Sequence, residues 1–279
     1  MNLNINKIIV HPGRYQADEI LGVAEIKIIF PALKNLPVIR TRPTEEDLSN
    51  PKTLVIDCGE RYQPGLNNFD HHQDKELYCS SRLLWEHFFP EDTELQMHLK
   101  RAMDATFFRS VDRHDRGRVF GGGNSISSAI SSMNEAGVDF DKAYEFAYLA
   151  LNSLIERQKK VLPVRMFWLS GKTFGGSRRL RVFSQYCKNA IQSDLIKYAG
   201  DTKKALYLLW PVSDDGKYIL RTVFEDQVIP QNKKQLALDT VSAVYKNKGD
   251  ALEHALELAA LKFEKDRKKE RLYGKKAVA

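Results

Sequence analysis

The sequence predicts a two-domain α/β protein, with a doubly wound, mainly parallel sheet in residues 1–162 and a smaller α+β domain in residues 163–279. Near the start of the chain, short apolar runs typical of buried strands alternate with a helical pattern, as in a sheet covered on both faces. The chain has 279 residues, and single hydrophobic cores stop growing at roughly 250–300 residues. Beyond residue 180, strand-like and helical patterns follow in a mixed order, which indicates a separate α+β unit.

The first domain begins with elements that form a βαβ unit. Lys7–Val10 is a strand-like run, Ala17–Phe30 carries apolar residues three and four positions apart, and Pro37–Thr41 returns as a strand. Thr53–Ile56 is a further apolar strand. Open α/β sheets place ligands at the carboxyl ends of their parallel strands, so we expect functional groups to gather there.

The rest of the first domain is predicted to be helical, because its apolar residues recur three and four positions apart. The helices are expected over residues 81–89, 93–111, 125–133 and 141–161. Pro163 and the glycine-rich stretch 170–177 follow the last of these helices, and both are typical of a boundary between domains.

The second domain is predicted to mix strands and helices. Strands are expected at Leu180–Phe183, Ala205–Trp210 and Tyr218–Phe224, with a helix at Asn189–Ala199. The sequence Asp214-Asp215-Gly216-Lys217 predicts a hairpin turn between the last two strands. Two helices, Lys234–Tyr245 and Asp250–Leu272, are expected to close the chain.

The composition is that of a globular protein without a membrane segment. No apolar run approaches the roughly 20 residues that span a bilayer, and the start MNLNINKIIVHP lacks the pattern of a signal peptide. Cys58, Cys79 and Cys187 form no C-x-x-C pair, which argues against a disulfide framework and a structural zinc site, so we expect a cytoplasmic protein. The net charge of +7 favours an anionic partner such as nucleic acid only mildly, because part of it lies in the tail 262–276.

The chemistry is concentrated in polar clusters at predicted strand and helix ends. They are His11 with Asp18 and Glu19, Asp57, the loop Asp70-His71-His72, and Asp112 with Asp115. Mixed imidazole and carboxylate ligands suit manganese, iron or zinc, and several carboxylates favour a pair of ions bridged by a shared ligand. Taken singly, each cluster has a plainer interpretation. For example, Asp18 and Glu19 are also favourable charges at a helix N-terminus.

These residues carry a resemblance to a known superfamily. The order His11…Asp18, Asp57-x-Gly59, Asp70-His71-His72 and Asp112 resembles the four motifs of the DHH phosphoesterases. Within that superfamily, the segments HPGRYQADE, VIDCGERYQPGLNNFDHHQ and SVDRHDRG are similar to the melanocyte-proliferating-gene (Myg) exonuclease family, whose members are metal-dependent nucleases acting on RNA. The likeness covers roughly residues 7–225.

The resemblance implies a role for each matching residue. Five residues would be metal ligands, with Asp57 the bridging group: His11, Asp18, Asp57, His71 and Asp112. His72 would face the substrate phosphate or the reacting water, and Asp70 would orient a neighbouring imidazole, a task that His114 and Asp115 could share. Arg42, which follows a predicted strand, is a candidate contact for the substrate phosphate. The expected cofactor is one or two divalent ions, manganese before magnesium.

The chain departs from the family pattern at two places. Gln16 stands where the family has a histidine two residues before the first motif's aspartate, and an amide is a poor ligand for a transition metal. After Phe224 no glycine-rich substrate loop is present in the sequence, so the likeness is expected to end near Val228.

The expected function is metal-dependent release of nucleotides from an end of RNA or a short oligonucleotide, in a protein that can form homo-oligomers. Two alternatives remain open: hydrolysis of a small phosphoester such as a dinucleotide or pyrophosphate, and nucleic-acid binding without turnover.

Overall fold

A computed structural model describes residues 3–117, 125–174, 180–201, 205–212, 217–223, 235–238 and 242–258. The chain divides into two compact units, Met1–Leu162 and Pro163–Ala279. The cysteines Cys58, Cys79 and Cys187 are free and buried. No helix within the described ranges is both long enough and apolar enough to cross a membrane.

The first unit contains a mainly parallel five-stranded sheet, which confirms the predicted fold class. Its strands are β1 Lys7–Val10, β2 Val38–Arg40, β3 Thr53–Ile56, β4 Tyr62–Gln63 and β5 Asn68–Phe69, in the order β2-β1-β3-β5-β4. The strands β1, β2, β3 and β5 pair in parallel, and only β4 runs antiparallel to its neighbour. The two-residue strands β4 and β5 are too short to show a pattern in the sequence.

The sheet is covered on both faces, which explains why its strands read as continuous apolar runs. Side chains of a strand alternate between faces. On one face, Ile8 and Leu54 pack in the large core formed with the helices of this unit. On the opposite face, Ile9 and Val55 pack with Leu48. All four strand residues are fully buried or nearly so.

Helices make up most of the rest of this unit. They are α1 Ala17–Ile29, α2 Glu45–Ser49, α3 Ser80–Phe88, α4 Glu94–Met103, α5 Arg109–Asp115, α6 Ile126–Glu135 and α7 Phe140–Ser170. A π-helical turn at Asp104–Phe108 joins α4 to α5, so the predicted helix over 93–111 is one irregular helical run. Helix α1 approaches α3 closely at Gly22, where a Cβ atom would lie 2.9 Å from Leu84 Cδ1.

Helix α7 does not end before Pro163, as the sequence suggested, but continues to Ser170. A proline removes one hydrogen bond from a helix and disfavours its interior. Here Leu162 is buried in the core of the first unit, and Val164 and Trp168 are buried in a core of the second unit. Burial of apolar side chains before and after the proline therefore outweighs the lost hydrogen bond.

The second unit contains a six-stranded mixed sheet in the order β10-β11-β9-β8-β7-β6. Its strands are β6 Lys172–Phe174, β7 Leu180–Val182, β8 Tyr207–Pro211, β9 Tyr218–Thr222, β10 Gln235–Leu238 and β11 Ser242–Tyr245. Helix α8 spans Asn189–Asp201, and residues 248–258 are helical. The predicted hairpin turn at 214–217 lies largely outside the described residues, and so does the predicted helix beyond 258.

The predicted helix at Lys234–Tyr245 was wrong, because this segment forms the antiparallel strands β10 and β11. The side chains of Ala243 and Tyr245 are fully buried, while Val244 between them is only partly covered. This two-residue alternation and the pairing of β11 with β9 favour a strand over the helical spacing read from the sequence.

Candidate metal centre

The candidate site lies at the carboxyl ends of the parallel strands β1, β3 and β5. His11 follows the last residue of β1, Asp57 follows β3, and Asp70 follows β5. Since these strands are parallel, their ends meet at one edge of the sheet, and His11 Nε2 lies 3.9 Å from Asp57 Oδ2. Residues far apart in the sequence are thus brought together where open α/β sheets place ligands.

Helix α1 adds two acidic residues to the same place. Asp18 and Glu19 lie in its first turn and are fully buried. Asp18 Oδ2 and Oδ1 accept hydrogen bonds from the backbone N–H groups of Ser80 and Ser81, at 2.7 and 2.8 Å. Those two N–H groups open helix α3, whose N-terminal dipole favours a negative charge. The α3 N-terminus therefore fixes the orientation of the Asp18 carboxylate.

A first group of potential ligands consists of His11, Glu19 and Asp57. One ligand atom from each of them lies within 4.8 Å of the others. His11 Nε2 and Glu19 Oε2 are 2.5 Å apart. Glu19 was mentioned with Asp18 in the sequence analysis but was not among the expected metal ligands.

A second group consists of Asp18, His71 and Asp115. Their ligand atoms also lie within 4.8 Å of one another. His71 Nε2 is 3.7 Å from Asp18 Oδ2 and 3.3 Å from Asp115 Oδ2. Asp115 closes helix α5, and from the sequence it was a weaker ligand candidate than Asp112.

Asp57 belongs to the first group and also faces His71 of the second group with its other oxygen. Its Oδ2 is 3.9 Å from His11 Nε2, and its Oδ1 is 3.3 Å from His71 Nε2. Ser80 Oγ donates a hydrogen bond to Oδ1 at 3.2 Å. The backbone at Asp57 has φ +59°, a left-handed conformation that only Asn, Asp and Gly adopt with any ease. An acid at the end of β3 can therefore turn its two oxygens toward two different positions.

Burial concentrates more negative charge here than the protein alone can neutralise. Burial raises the pKa of Asp57 well above its ordinary value, and the charges of Asp18, Asp115 and Glu19 add to this effect. Burial, followed by the charge of Asp18, raises the pKa of Asp115 to about 7. Burial also raises the pKa of Glu19, while contact with Glu19 raises the pKa of His11 to about 9. Bound cations would relieve this excess of buried negative charge.

The residues present fit divalent cations. Within the part of the chain that the structure describes, several buried atoms of the two groups have no hydrogen-bond partner: Glu19 Oε1, Asp57 Oδ2 and His71 Nε2. Buried polar atoms are rarely left without partners. The combination of imidazole nitrogens and carboxylate oxygens suits manganese, iron or zinc better than calcium.

His72 belongs to a third group of potential ligands, with Asp57 and His71, and is also hydrogen-bonded to Asp70. His72 Nδ1 is 2.7 Å from Asp70 Oδ1, and the His72 side chain is 52% exposed. Burial alone would raise the pKa of Asp70, but hydrogen bonds from the His72 ring and from backbone N–H groups lower it. The hydrogen bond to Asp70 raises the pKa of His72 to about 9, so this ring is a proton donor at neutral pH in the absence of metal.

Asp112 is not brought into either group, although the resemblance implied that it is a ligand. Its Oδ1 accepts a hydrogen bond from Cys79 N–H at 2.9 Å, and its Oδ2 lies 3.1 Å from Arg116 and 3.5 Å from Arg82. Two arginines compete with any cation for this carboxylate. Asp115, three residues further along the same helix face, takes the place beside His71.

A cavity of about 760 Å³, which we call the larger cavity, opens onto the site. Asp57, Asp70 and His72 line it together with Arg42, an exposed residue that follows β2. Gln16, the departure from the family pattern, also lines the larger cavity and belongs to none of the ligand groups. Arg40 packs over the rings of Tyr15 and Phe140, and its charge lowers the pKa of Glu19, against the larger effect of burial.

Comparison with known proteins gives one match to a family. A family model described as MYG1_exonuc, Uncharacterised protein family (UPF0160), matches residues 7–240. The match therefore extends beyond Val228, where the likeness was expected to end. A search of curated proteins finds no match.

Two solved structures are similar to this chain at low identity. The crystal structure of RecJ in complex with Mg2+ from Thermus thermophilus is 14% identical with a TM-score of 0.26, and the match covers 91% of this chain and 49% of RecJ. The chain thus spans about half the length of that protein. An uncharacterised protein from Helicobacter pylori is 12% identical with a TM-score of 0.30, over 90% of this chain and 98% of that one. Neither structure supports a functional assignment on its own.

Proposed function

Because the chain belongs to the MYG1 exonuclease family, we propose that it is a metal-dependent phosphodiester hydrolase that releases nucleotides from an end of RNA or a short oligonucleotide. The observation that carries this proposal is the position of Asp57, which belongs to one group of potential ligands and faces His71 of the other group with its second carboxylate oxygen. Two divalent ions about 3.5–4 Å apart, sharing a carboxylate, are the arrangement that hydrolyses phosphoesters in many enzymes.

The residues that would hold the two ions follow from the groups. His11, Glu19 and Asp57 would hold one ion, and Asp18, His71 and Asp115 would hold the other together with Asp57. Glu19 supplies the first position with a buried carboxylate, so Gln16 does not leave that position without an anionic ligand. This argues against the alternative of a degenerate protein that binds nucleic acid without turnover.

When bound, the ions would activate the attacking water and neutralise charge on the phosphate. Side chains of the protein would bind and orient the phosphate. His72, held at Nδ1 by Asp70, presents its remaining ring nitrogen on the exposed side of the site, where it can donate a hydrogen bond to a phosphate oxygen. Arg42 at the wall of the larger cavity supplies a fixed positive charge for the same phosphate or its neighbour. Hydrolysis joins the water oxygen to phosphorus, breaks the bond from phosphorus to the sugar oxygen, and gives that oxygen a proton.

The test is hydrolysis of three substrates by the purified chain with added MnCl2 or MgCl2: end-labelled RNA, a dinucleotide and inorganic pyrophosphate. We expect single nucleotides to be released from the RNA, and Asp57→Asn to abolish this release. Asp74→Asn is the matched control, because Asp74 is exposed, lies in the same loop as His71 and belongs to no ligand group.

Each outcome decides among the candidate functions. Cleavage of pyrophosphate or the dinucleotide alone would replace RNA by a small phosphoester as the substrate. Retained RNA binding without cleavage of any substrate, in either metal, would contradict the hydrolase proposal.

A further inference from the structure

A second cavity adjoins the candidate metal centre and has no role in the proposal above. This smaller cavity has a volume of about 330 Å³. Gln16 lines both cavities, and Asp115 of the second ligand group lines the smaller one, whereas Asp57 and His72 line the larger one. His11 of the first ligand group also lines the larger cavity, and Asp18, Glu19 and His71 line neither. A substrate at the metal centre therefore has two adjoining cavities to occupy.

The wall of the smaller cavity is held in place by contacts that do not involve the metal ligands. Asn134 Nδ2 of helix α6 donates a hydrogen bond to the backbone oxygen of Tyr15, and the Tyr15 hydroxyl donates to the backbone oxygen of Val138 at 2.8 Å. The Tyr15 ring packs edge to face against Phe140. The loop between β1 and α1 is therefore tied to helix α6, and the cavity between them is preformed, which lowers the cost of binding.

The lining of the smaller cavity is rich in hydrogen-bonding groups. Ser127, Ser131 and Asn134 present hydroxyl and amide groups. The lining also contains Arg14 and His114 and the acids Asp115 and Glu135, so side chains of both charge types are present. The sugar hydroxyls and base edge of a nucleoside therefore find both donors and acceptors there.

The volume limits the ligand to a single unit. Sites for small molecules have volumes of about 300–1,000 Å³, and 330 Å³ lies at the lower end of that range. One nucleoside fills such a space, and a second one has no room.

From these observations we propose that the smaller cavity binds the nucleoside of the terminal nucleotide, whose phosphate lies at the metal centre. The proposal rests on the proposed function and adds the reason why release proceeds one nucleotide at a time. The product is then a mononucleotide, because the bond that breaks is the one joining the seated nucleotide to the rest of the chain.

The experiment compares two neighbouring serines of helix α6. Ser131 is partly buried and lines the smaller cavity, whereas Ser132 is exposed and does not line it. Ser131→Phe should fill the cavity, weaken binding of adenosine 5′-monophosphate measured by calorimetry at least tenfold, and raise KM for a short RNA by a similar factor. Ser132→Phe should change neither quantity. Turnover of bis(p-nitrophenyl) phosphate, whose leaving group needs no nucleoside site, should stay within about twofold in Ser132→Phe.

The results separate this inference from the proposed function. Unchanged nucleotide affinity in Ser131→Phe, with bis(p-nitrophenyl) phosphate still cleaved, would overturn the nucleoside site and leave the hydrolase intact. Absence of all turnover in the wild-type chain would overturn the function, while calorimetry of the same variants still tests the cavity. If thermal unfolding shows that Ser131→Phe is not folded, Ser131→Leu is used instead. It should show the same loss of affinity for adenosine 5′-monophosphate.

Discussion

Replacing Asp57 by asparagine should change stability in opposite directions with and without metal. In metal-free protein, the Asp57 carboxylate is buried beside the charges of Asp18, Asp115 and Glu19, and its pKa is raised by burial and by these charges. Asparagine has nearly the same shape and no charge. The variant should therefore be more stable than the wild type in the presence of a chelator.

The size of the effect follows from the geometry. Ligand oxygens of Asp57 and Glu19 lie within 4.8 Å of each other. At an effective dielectric constant of about 20, two such charges repel by about 3 kcal/mol. For a unit of this size, 3 kcal/mol corresponds to roughly 6–12 °C in Tm. The contact of each acid with His11 offsets part of this repulsion, so a gain of a few degrees is expected.

The assay is thermal unfolding at pH 7.5 in EDTA and in MnCl2. A ligand at about 100 times its Kd stabilises the folded state by about 2.7 kcal/mol. We expect Mn2+ to raise the Tm of the wild type by roughly 5–11 °C and that of Asp57→Asn by far less. Glu25→Gln is the control, since Glu25 is a buried acid of the same domain that belongs to no ligand group, and it should keep the full Mn2+ shift. A variant that is destabilised in EDTA, or that keeps the wild-type Mn2+ shift, would refute the reasoning.

Three further predictions concern other residues of the first unit. Burial raises the pKa of Glu25 well above its ordinary value of 4.5, so the folded wild type loses stability as pH rises above 4.5 and the buried carboxyl is driven to ionise. In urea unfolding, the stability of Glu25→Gln relative to the wild type should therefore increase from pH 4.5 upward. An equal difference in unfolding free energy at all pH values would contradict this. Asp112→Asn should cost roughly 3–5 kcal/mol in unfolding free energy because Arg82 and Arg116 lose their shared partner, yet leave the bound Mn2+ count unchanged by elemental analysis, whereas Asp115→Asn should lower that count. Arg42→Met should raise KM for RNA about tenfold with little change in kcat, and a selective loss of kcat would instead place Arg42 at the reacting phosphate.

The fold was predictable where the sequence pattern coincided with burial. The strands β1 and β3 are buried on both faces along nearly their whole length, so their composition alone marks them as strands. The strand β11 was missed because its partner β9 lies some 20 residues away, and the local spacing is compatible with a helix. The continuation of α7 through Pro163 was missed because it depends on burial on both sides of the proline, a tertiary effect.

The sequence indicated the place of the candidate site, whereas the grouping of potential ligands there depends on the structure. Strand ends identified His11 and Asp57, and the loop Asp70-His71-His72 follows a short strand that the sequence did not show. Asp112 and Asp115 lie three residues apart on one helix face, so spacing cannot choose between them. In the structure Arg116 and Arg82 engage Asp112, whereas Asp115 lies beside His71.

Glu19 could have been identified from a signal in the sequence. Glu19 follows Asp18 in helix α1, and most of the later residues of this helix are apolar. Because such a helix is buried on most sides, at least one of the two acids is expected to be buried as well. A buried acid needs a partner of opposite charge. In the structure the partner of Glu19 is the imidazole of His11, which is itself a potential metal ligand.

The most direct measurement is a crystal structure of the protein soaked in MnCl2, with anomalous data collected at the manganese edge. We predict two peaks roughly 3.5–4 Å apart, one beside His11 and Glu19 and one beside His71 and Asp115, with a carboxylate oxygen of Asp57 directed at each. Peaks elsewhere, or an Asp57 side chain that contacts neither ion, would contradict it.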